Sequence, residues 1–498
     1  MTETFMNKTL GETPLVVVSN REPYEHRRSK GRLVCRRTDG GLTSALDPVM
    51  RRVKGTWIAW GNGKGDYEAL GADSVVWVPP ETPAYRLRRV PLTEEEVKGG
   101  YLGYANQVLW PLCHITLDRV TYRKAFWSAY HDLNRRFAEA VLDELRKTPG
   151  LVWAHDFHLA LLPRLIKHAS PGRTVAVFWH IPFPGPEVFR ILPEAREVLE
   201  GLLAADSLVF QTPGYAQAFA ECAQQLLGAE ASPSSGTIRF RGHEARLTAR
   251  AISVDFHAFS DHAETSRVEQ AMRRLRRGLA PSPGIRLGLG VDRMDYTKGL
   301  LKRFWALDAF FTRYPQYQGV FTFLQIAIPT RSELEAYRRY RQVIRETVSE
   351  INARYASALP PGHRRWQPIV YREGRIGFDT LVAYYRMADL AVVTPVYDGM
   401  NLVAKEYVAS QVDENGVLLI SQLAGAAEEM TDALVINPYD TERLADSIKQ
   451  ALEMPKEERR RRMRAMRTYL QKHDIHVWME GCLLDAGVVI ESSRASGK

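Results

Sequence analysis

Short apolar, β-branched runs recur along the chain, each closed by turn residues and followed by a longer stretch with helical spacing. LVVVSNR (15–21), LVWAHD (151–156), TVAVFWH (174–180) and SLVFQT (207–212) form a first set. A second set follows a polar, charge-rich helical stretch at 262–284: IRLGLGVDR (285–293), VFTFLQIAI (320–328), LAVVTP (390–395), VLLISQ (417–422) and ALVINP (433–438). Continuous apolar strands alternating with helices predict parallel sheets covered on both faces. Two doubly wound α/β domains are therefore expected, dividing near residue 255. The segment 22–38, EPYEHRRSKGRLVCRRT, is polar and basic with little periodicity, and reads as a long surface loop or a hairpin.

In open α/β sheets ligands bind beyond the carboxyl ends of the strands, and the unusual polar residues gather there. Arg21 ends the first run, His155 and Asp156 the second and His180 the third; Arg293 and Asp295 follow IRLGLGV, and Asp398 follows LAVVTP. In PVYDGMNLVAKEYV the chain turns at Asp398-Gly399 and helical spacing starts near Asn401, so the first helical amides form a site for a phosphate. Glu406 lies one and a half turns deeper, too far along to meet the same reacting atom as Asp398, and suits sugar or ribose hydroxyls. The plainer alternative is a helix-capping Asp398 and a surface Glu406. In VDRMDYTKGL, Arg293 and Lys298 share one post-strand loop, and a guanidinium with an ammonium suits a diphosphate. GNGKGD (61–66) lacks the spacing and hydroxyl of a phosphate-loop nucleotidase.

Other residue types narrow the picture less. His155 and His158 in HDFH lie close enough for a metal pair, but no second cluster supplies further ligands at recognised spacing. Trp57, Trp60, Tyr101 and Trp110 offer faces for a sugar, or core. The chain has 498 residues and a formal charge of +9, with its densest basic run at KEERRRRMRAMR (456–467). That run reads as a solvated helix face rather than a nucleic-acid patch, because no nucleic-acid-binding motif accompanies it. No run of eighteen apolar residues spans a membrane, and MTETFMNKTLGETP lacks a secretory pattern, which fits a cytoplasmic protein. The four cysteines form no CxxC pair and are expected to be reduced thiols.

Taken together, VVVSNR, DGGL, VLWPLCH, HDFHL, HIPFP, DRMDYTKG, DGMNLVAKEY and LAGAAEEM, in this order, resemble the trehalose-6-phosphate synthase family of retaining glycosyltransferases. The resemblance implies a GT-B architecture of two facing Rossmann-like domains: 1–255 on the acceptor side, 256–470 on the donor side, and a C-terminal helix at 471–498 crossing back to the first. It implies transfer of glucose from a nucleotide-glucose, usually UDP-glucose, to glucose 6-phosphate, with no metal and no other cofactor. By matching position, Arg293 and Lys298 would grip the donor diphosphate. Asp398 would contact the donor glucose, with Gly399, Met400, Asn401, Leu402 and Val403 along the sugar and phosphates and Glu406 on the ribose. Gly40 and Gly41 would close on the donor, and His180 and Asp156 would line the transfer point. Arg21, Tyr101, Trp110 and Arg331 would bind the sugar phosphate, with Trp60 lining that pocket.

Some features depart from the pattern. The loop between Arg21 and Gly40 is longer and more basic than in the enterobacterial form of the family, and NREPYEH is similar to the related glucosylglycerol-phosphate synthases, which makes glycerol 3-phosphate the rival acceptor; the paired glycines of DGGL favour the trehalose side. Phe157 stands where tyrosine is common, a change expected to be minor. A pseudo-glycosyltransferase joining cyclitols is a third reading. A silent nucleotide-sugar sensor predicts loss of Arg293, Lys298, Asp398 or Glu406, and all four are present. No DxDx[TV] phosphatase signature follows Lys298, so a separate phosphatase is the expected partner, and homo-oligomerisation is left open.

Overall fold

The computed structural model describes residues 13–38, 41–71, 73–279, 284–356 and 366–496. The chain divides into two compact units, Met1–Ile252 with His476–Lys498, and Ser253–Ile475. No helix among the described residues is long and apolar enough to cross a membrane.

The first unit holds β1 (Leu15–Arg21), β2 (Tyr24–Ser29), β3 (Arg32–Arg37), β4 (Thr56–Trp60), β5 (Val75–Val78), β6 (Tyr85–Val90), β7 (Leu151–His155), β8 (Val175–Trp179), β9 (Ser207–Phe210), β10 (Glu230–Ser232), β11 (Thr237–Phe240) and β12 (His243–Ala249). Ten of them form one sheet in the order β10–β11–β12–β9–β8–β7–β1–β4–β6–β5. The stretch from β12 to β6 is parallel, with antiparallel edges at both sides. From β1 the chain first builds outward through β4 and β6, then returns to build the other way through β7, β8 and β9. The strand order therefore reverses between β1 and β7, where such a sheet opens a crevice for ligands.

β1, β7 and β8 are apolar and buried on both faces, as a covered parallel sheet demands. β6, YRLRRV, breaks that rule and is still internal. Arg86 and Arg88 reach Glu144 and Asp143 of helix Lys124–Lys147 at 2.5 and 2.6 Å. Arg89, fully buried, bonds Glu22 at 2.7 Å, Asp66 at 3.1 Å, the Tyr24 carbonyl at 3.0 Å and His26 Nδ1 at 2.8 Å. Those bonds anchor the basic 22–38 segment, which is a two-stranded hairpin of β2 and β3. The C-terminal helix Ile475–Ser496 packs Trp478 against Trp153 and Phe178, with ring centroids 5.7 and 5.1 Å apart. On the same helix Asp485 takes Arg250 at 2.6 Å and Arg246 at 3.3 Å.

The second unit holds β13 (Arg286–Arg293), β14 (Phe321–Ile328), β15 (Ile369–Glu373), β16 (Leu390–Val393), β17 (Val417–Ser421) and β18 (Leu434–Ile436). They form a fully parallel sheet in the order β15–β14–β13–β16–β17–β18. Here the order reverses between β13 and β16. The basic run 456–467 lies on helix Lys456–Lys472, where Glu458 bonds Arg461 and Arg462 on its outer side. Its Arg467 turns inward and donates to the carbonyls of Val408 and Ala409, the last turn of helix Leu402–Ser410. That is a cation closing a helix C-terminus.

Candidate active site

Each reversal point gathers one set of the residues singled out from the sequence. In the second unit, Arg293 ends β13 and the loop behind it continues to a short turn, Tyr296–Lys298. Gly299 then adopts φ +66°, and a Cβ there would lie 2.0 Å from the Thr394 carbonyl oxygen. Only glycine lets the loop after β13 press so closely on the residue after β16. Lys298 Nζ crosses to Asp398 Oδ2 at 2.7 Å, and Asn401 Nδ2 donates to the same oxygen at 3.0 Å. The backbone of Asp398 is held as well: its N–H donates to Leu423 and its carbonyl accepts from Gly425, each at 3.0 Å. Asp398 is thus fixed from three segments.

Asn401, not Asp398, caps helix Leu402–Ser410, with Oδ1 accepting the Ala404 amide at 3.1 Å. Gly399 and Met400 precede the cap. The amides of Leu402 and Val403 come earlier in the turn, where a helix has no carbonyl of its own to offer them. Glu406 is half-buried rather than a surface residue, and accepts from the Tyr385 hydroxyl at 2.6 Å. Burial raises its pKa above the ordinary glutamate value. Asp398 and Glu406 are therefore engaged by different partners and do not form a pair about one point.

Arg331 also belongs to this unit. Its Nη1 bonds Asp295 Oδ2 at 2.8 Å and the Tyr337 hydroxyl at 2.6 Å, with φ +46° in the left-handed region. Beneath both loops lies fully buried Arg303, bonded to Asp292 at 2.5 Å, Gln325 at 2.7 Å and Thr394 at 3.0 Å.

In the first unit, exposed Arg21 ends β1 and donates to the Tyr101 hydroxyl at 3.3 Å. Tyr101 sits on the π-helix Glu96–Leu109 and is flanked by Trp60 and His158, ring centroids 5.4 and 5.7 Å away. Trp110 is buried against His114 and Phe157 at 4.1 and 5.7 Å. Asp156 follows β7 with φ +75°, a conformation rare for a residue with a side chain and one that marks stored strain. Its Oδ1 accepts the His180 backbone N–H at 3.2 Å. His155 and His158 have separate engagements: His155 Nδ1 meets His180 Nε2 at 3.1 Å, and His158 lies 4.0 Å from Asp156. Gly41 begins helix Gly41–Val53, while Gly40 lies outside the described residues. The cysteines are free thiols, three of them buried.

The family model for glycosyltransferase family 20 matches residues 13–486. The chain belongs to that family. Among its relatives, the trehalose-6-phosphate synthase of Mycobacterium marinum is 36% identical over 96% of this chain and 94% of its own length. The α,α-trehalose-phosphate synthase [UDP-forming] A of Dictyostelium discoideum is 32% identical over 98% of this chain, which spans 64% of that longer protein. The crystal structure of a UDP-forming α,α-trehalose-phosphate synthase from Burkholderia xenovorans in complex with glucose-6-phosphate superimposes with a TM-score of 0.84. It is 30% identical and covers 95% of this chain and 99% of that one. The fold is GT-B, and the two Rossmann-like sheets described above are its two domains.

Several buried polar residues beside these loops carry no signal in the sequence. Tyr337, Arg303 and Gln325 bond partners that the fold brings to them. Asp295 was visible as a strand-end residue, and LAGAAEEM, which contributes Ala424 to a bridge with Asp398, as a motif. Gln211 was passed over as the polar end of SLVFQT.

Proposed function

We propose that this family 20 glycosyltransferase moves glucose from UDP-glucose to glucose 6-phosphate with retention of configuration, giving trehalose 6-phosphate and UDP. The carrying observation is the Lys298–Asp398 pair at the β13/β16 reversal, which sets an ammonium and a carboxylate side by side. In this reading Arg293 and Lys298 hold the diphosphate and the amides of Leu402 and Val403 approach it from the helix start. Asp398 binds glucose hydroxyls, Glu406 the ribose, and Gly40 and Gly41 close on the donor. Arg21, Tyr101, Trp60, Trp110, Asp156 and Arg331 serve the acceptor. The names of the Dictyostelium and Burkholderia relatives support UDP as leaving group, and the glucose-6-phosphate complex of the latter supports the acceptor.

A hydrolase-type mechanism needs two carboxyl groups flanking one bond, and Asp398 and Glu406 are engaged apart. The chemistry is better served by a front-face route: the acceptor hydroxyl attacks from the side the diphosphate is leaving. The departing phosphate oxygen takes the hydroxyl proton, while Arg293 and Lys298 stabilise the charge that develops there. The product keeps its phosphate, so a separate phosphatase completes trehalose synthesis. Purified protein mixed with UDP-, ADP- or GDP-glucose and either glucose 6-phosphate or glycerol 3-phosphate tests this, with nucleotide release as readout and NMR of the product for its linkage. Release with UDP-glucose and glucose 6-phosphate, yielding an α,α-linkage, is the expected result. Release with glycerol 3-phosphate alone would overturn it.

A further inference from the structure

Gln211 follows β9 and is almost wholly buried. Its Oε1 accepts the Ile252 backbone N–H at 3.0 Å, which settles the orientation of the amide. Its Nε2 then faces His180, 3.4 Å from both the ring Nδ1 and the carbonyl oxygen. An amide nitrogen only donates, so His180 Nδ1 is an acceptor and the ring carries its proton on Nε2. That nitrogen lies 3.1 Å from Nδ1 of fully buried His155. His155 Nδ1 must accept in turn, and its own proton sits on Nε2. Reversing the chain would set two donors against each other, at His180 Nδ1 or at the Ile252 amide.

The surroundings favour neutral rings. The His180 ring lies 4.4 Å from Phe178, which Trp478 backs at 5.1 Å. Among the described residues, the titratable groups that hydrogen-bond His180 are His155 on β7 and Asp156, whose Oδ1 accepts the His180 backbone N–H. Burial pushes the His180 imidazole down to about 3 and holds His155 below its ordinary value.

We propose that Gln211 and His155 are positioning residues that lock His180 as a neutral Nε2–H imidazole. The functional part rests on the reading that His180 lines the transfer point. A cation there would oppose the positive charge that builds on the anomeric carbon, and would offer the departing diphosphate a proton that the acceptor hydroxyl is meant to supply.

Nitrogen NMR of the full chain, labelled at histidine and assigned with His180→Gln and His155→Asn, reads the tautomers without substrate. Both rings are expected as Nε2–H forms, neutral from about pH 5 to 8. In Gln211→Glu the carboxylate accepts Nδ1–H, so the His180 proton changes nitrogen and the ring titrates near its ordinary range. In that variant kcat falls as pH drops through the new pKa. Gln211→Leu and His155→Leu lower kcat/KM roughly a hundred-fold through a displaced ring, while His155→Asn, which keeps an acceptor at the Nδ1 position, retains most of it. An Nδ1–H tautomer in the wild type, or a ring that titrates there near its ordinary value, would overturn the lock. Unchanged kcat/KM in a folded Gln211→Leu would overturn the positioning role. The assigned tautomers in a protein that releases no nucleotide would support the lock and overturn the transferase reading instead.

Discussion

Lys298 Nζ lies 2.7 Å from Asp398 Oδ2, joining the loops after β13 and β16. In the proposed reaction this ammonium touches both the carboxylate that binds the donor sugar and the leaving diphosphate. Lys298→Ala is expected to lower turnover by about 10²–10³-fold. The fold should persist, because Asn401 and the backbone bonds to Leu423 and Gly425 still hold Asp398. Nucleotide release and circular dichroism measured together check this, and near-normal turnover would remove Lys298 from the diphosphate.

In the proposed reaction Glu406 binds the ribose, apart from the reacting centre. Glu406→Gln keeps an oxygen for the Tyr385 hydroxyl but loses the charge, so KM for UDP-glucose should rise about ten-fold with kcat little changed. Its raised pKa sets the pH dependence: the carboxylate is present above that pKa and lost below it. Donor KM in the wild type should therefore climb on acidification at a higher pH than an ordinary glutamate would allow. Glu406→Gln should flatten that rise.

In the proposed reaction Arg331 has two duties, one to the acceptor and one to Asp295. Asp295 is fully buried, so Arg331→Ala takes a charged partner from a buried carboxylate and should cost about 3–5 kcal/mol of stability. Adding Asp295→Asn should restore much of the melting temperature without restoring the KM for glucose 6-phosphate. Recovery of both in the double variant would show that Arg331 serves only Asp295.

Glu22 predicts an alkaline weakness. Burial, with Asp66 alongside, raises its pKa to about 9, so the folded state holds a proton that the unfolded chain releases at the ordinary value of 4.5. Its contribution is complete at low pH and is lost progressively as pH rises from there through about 9. Glu22→Gln imitates the protonated acid permanently. Its melting temperature relative to wild type should rise steadily between neutral and alkaline pH, and a constant difference would contradict a protonated Glu22.

The strands that bury both faces, such as β1, β7, β13 and β16, were legible because an apolar run needs no partner to be recognised. β6 was not, since Arg86, Arg88 and Arg89 look exposed until Glu144, Asp143, Glu22 and Asp66 are brought to them by the fold. The same asymmetry holds at the site. Arg21, Arg293 and Asp398 stood out because strand ends are where a doubly wound sheet keeps its ligands. Arg303 did not, because a buried charge has no periodicity and its partners Asp292, Gln325 and Thr394 lie 11, 22 and 91 positions away. Gln211 matters for the direction in which its amide faces, which no spacing encodes.

The bonds that hold Asp398 also order the assembly of the second unit. Its side chain meets Lys298 across 100 positions, and its backbone is fastened to Leu423 and Gly425, beyond β17. During synthesis the lysine emerges long before the carboxylate, and the carboxylate before the loop that steadies it. The full fastening of Asp398 is therefore among the last features this unit acquires, and a nascent chain halted before Leu423 would carry Lys298, Asp398 and Asn401 with the backbone of Asp398 still unfastened.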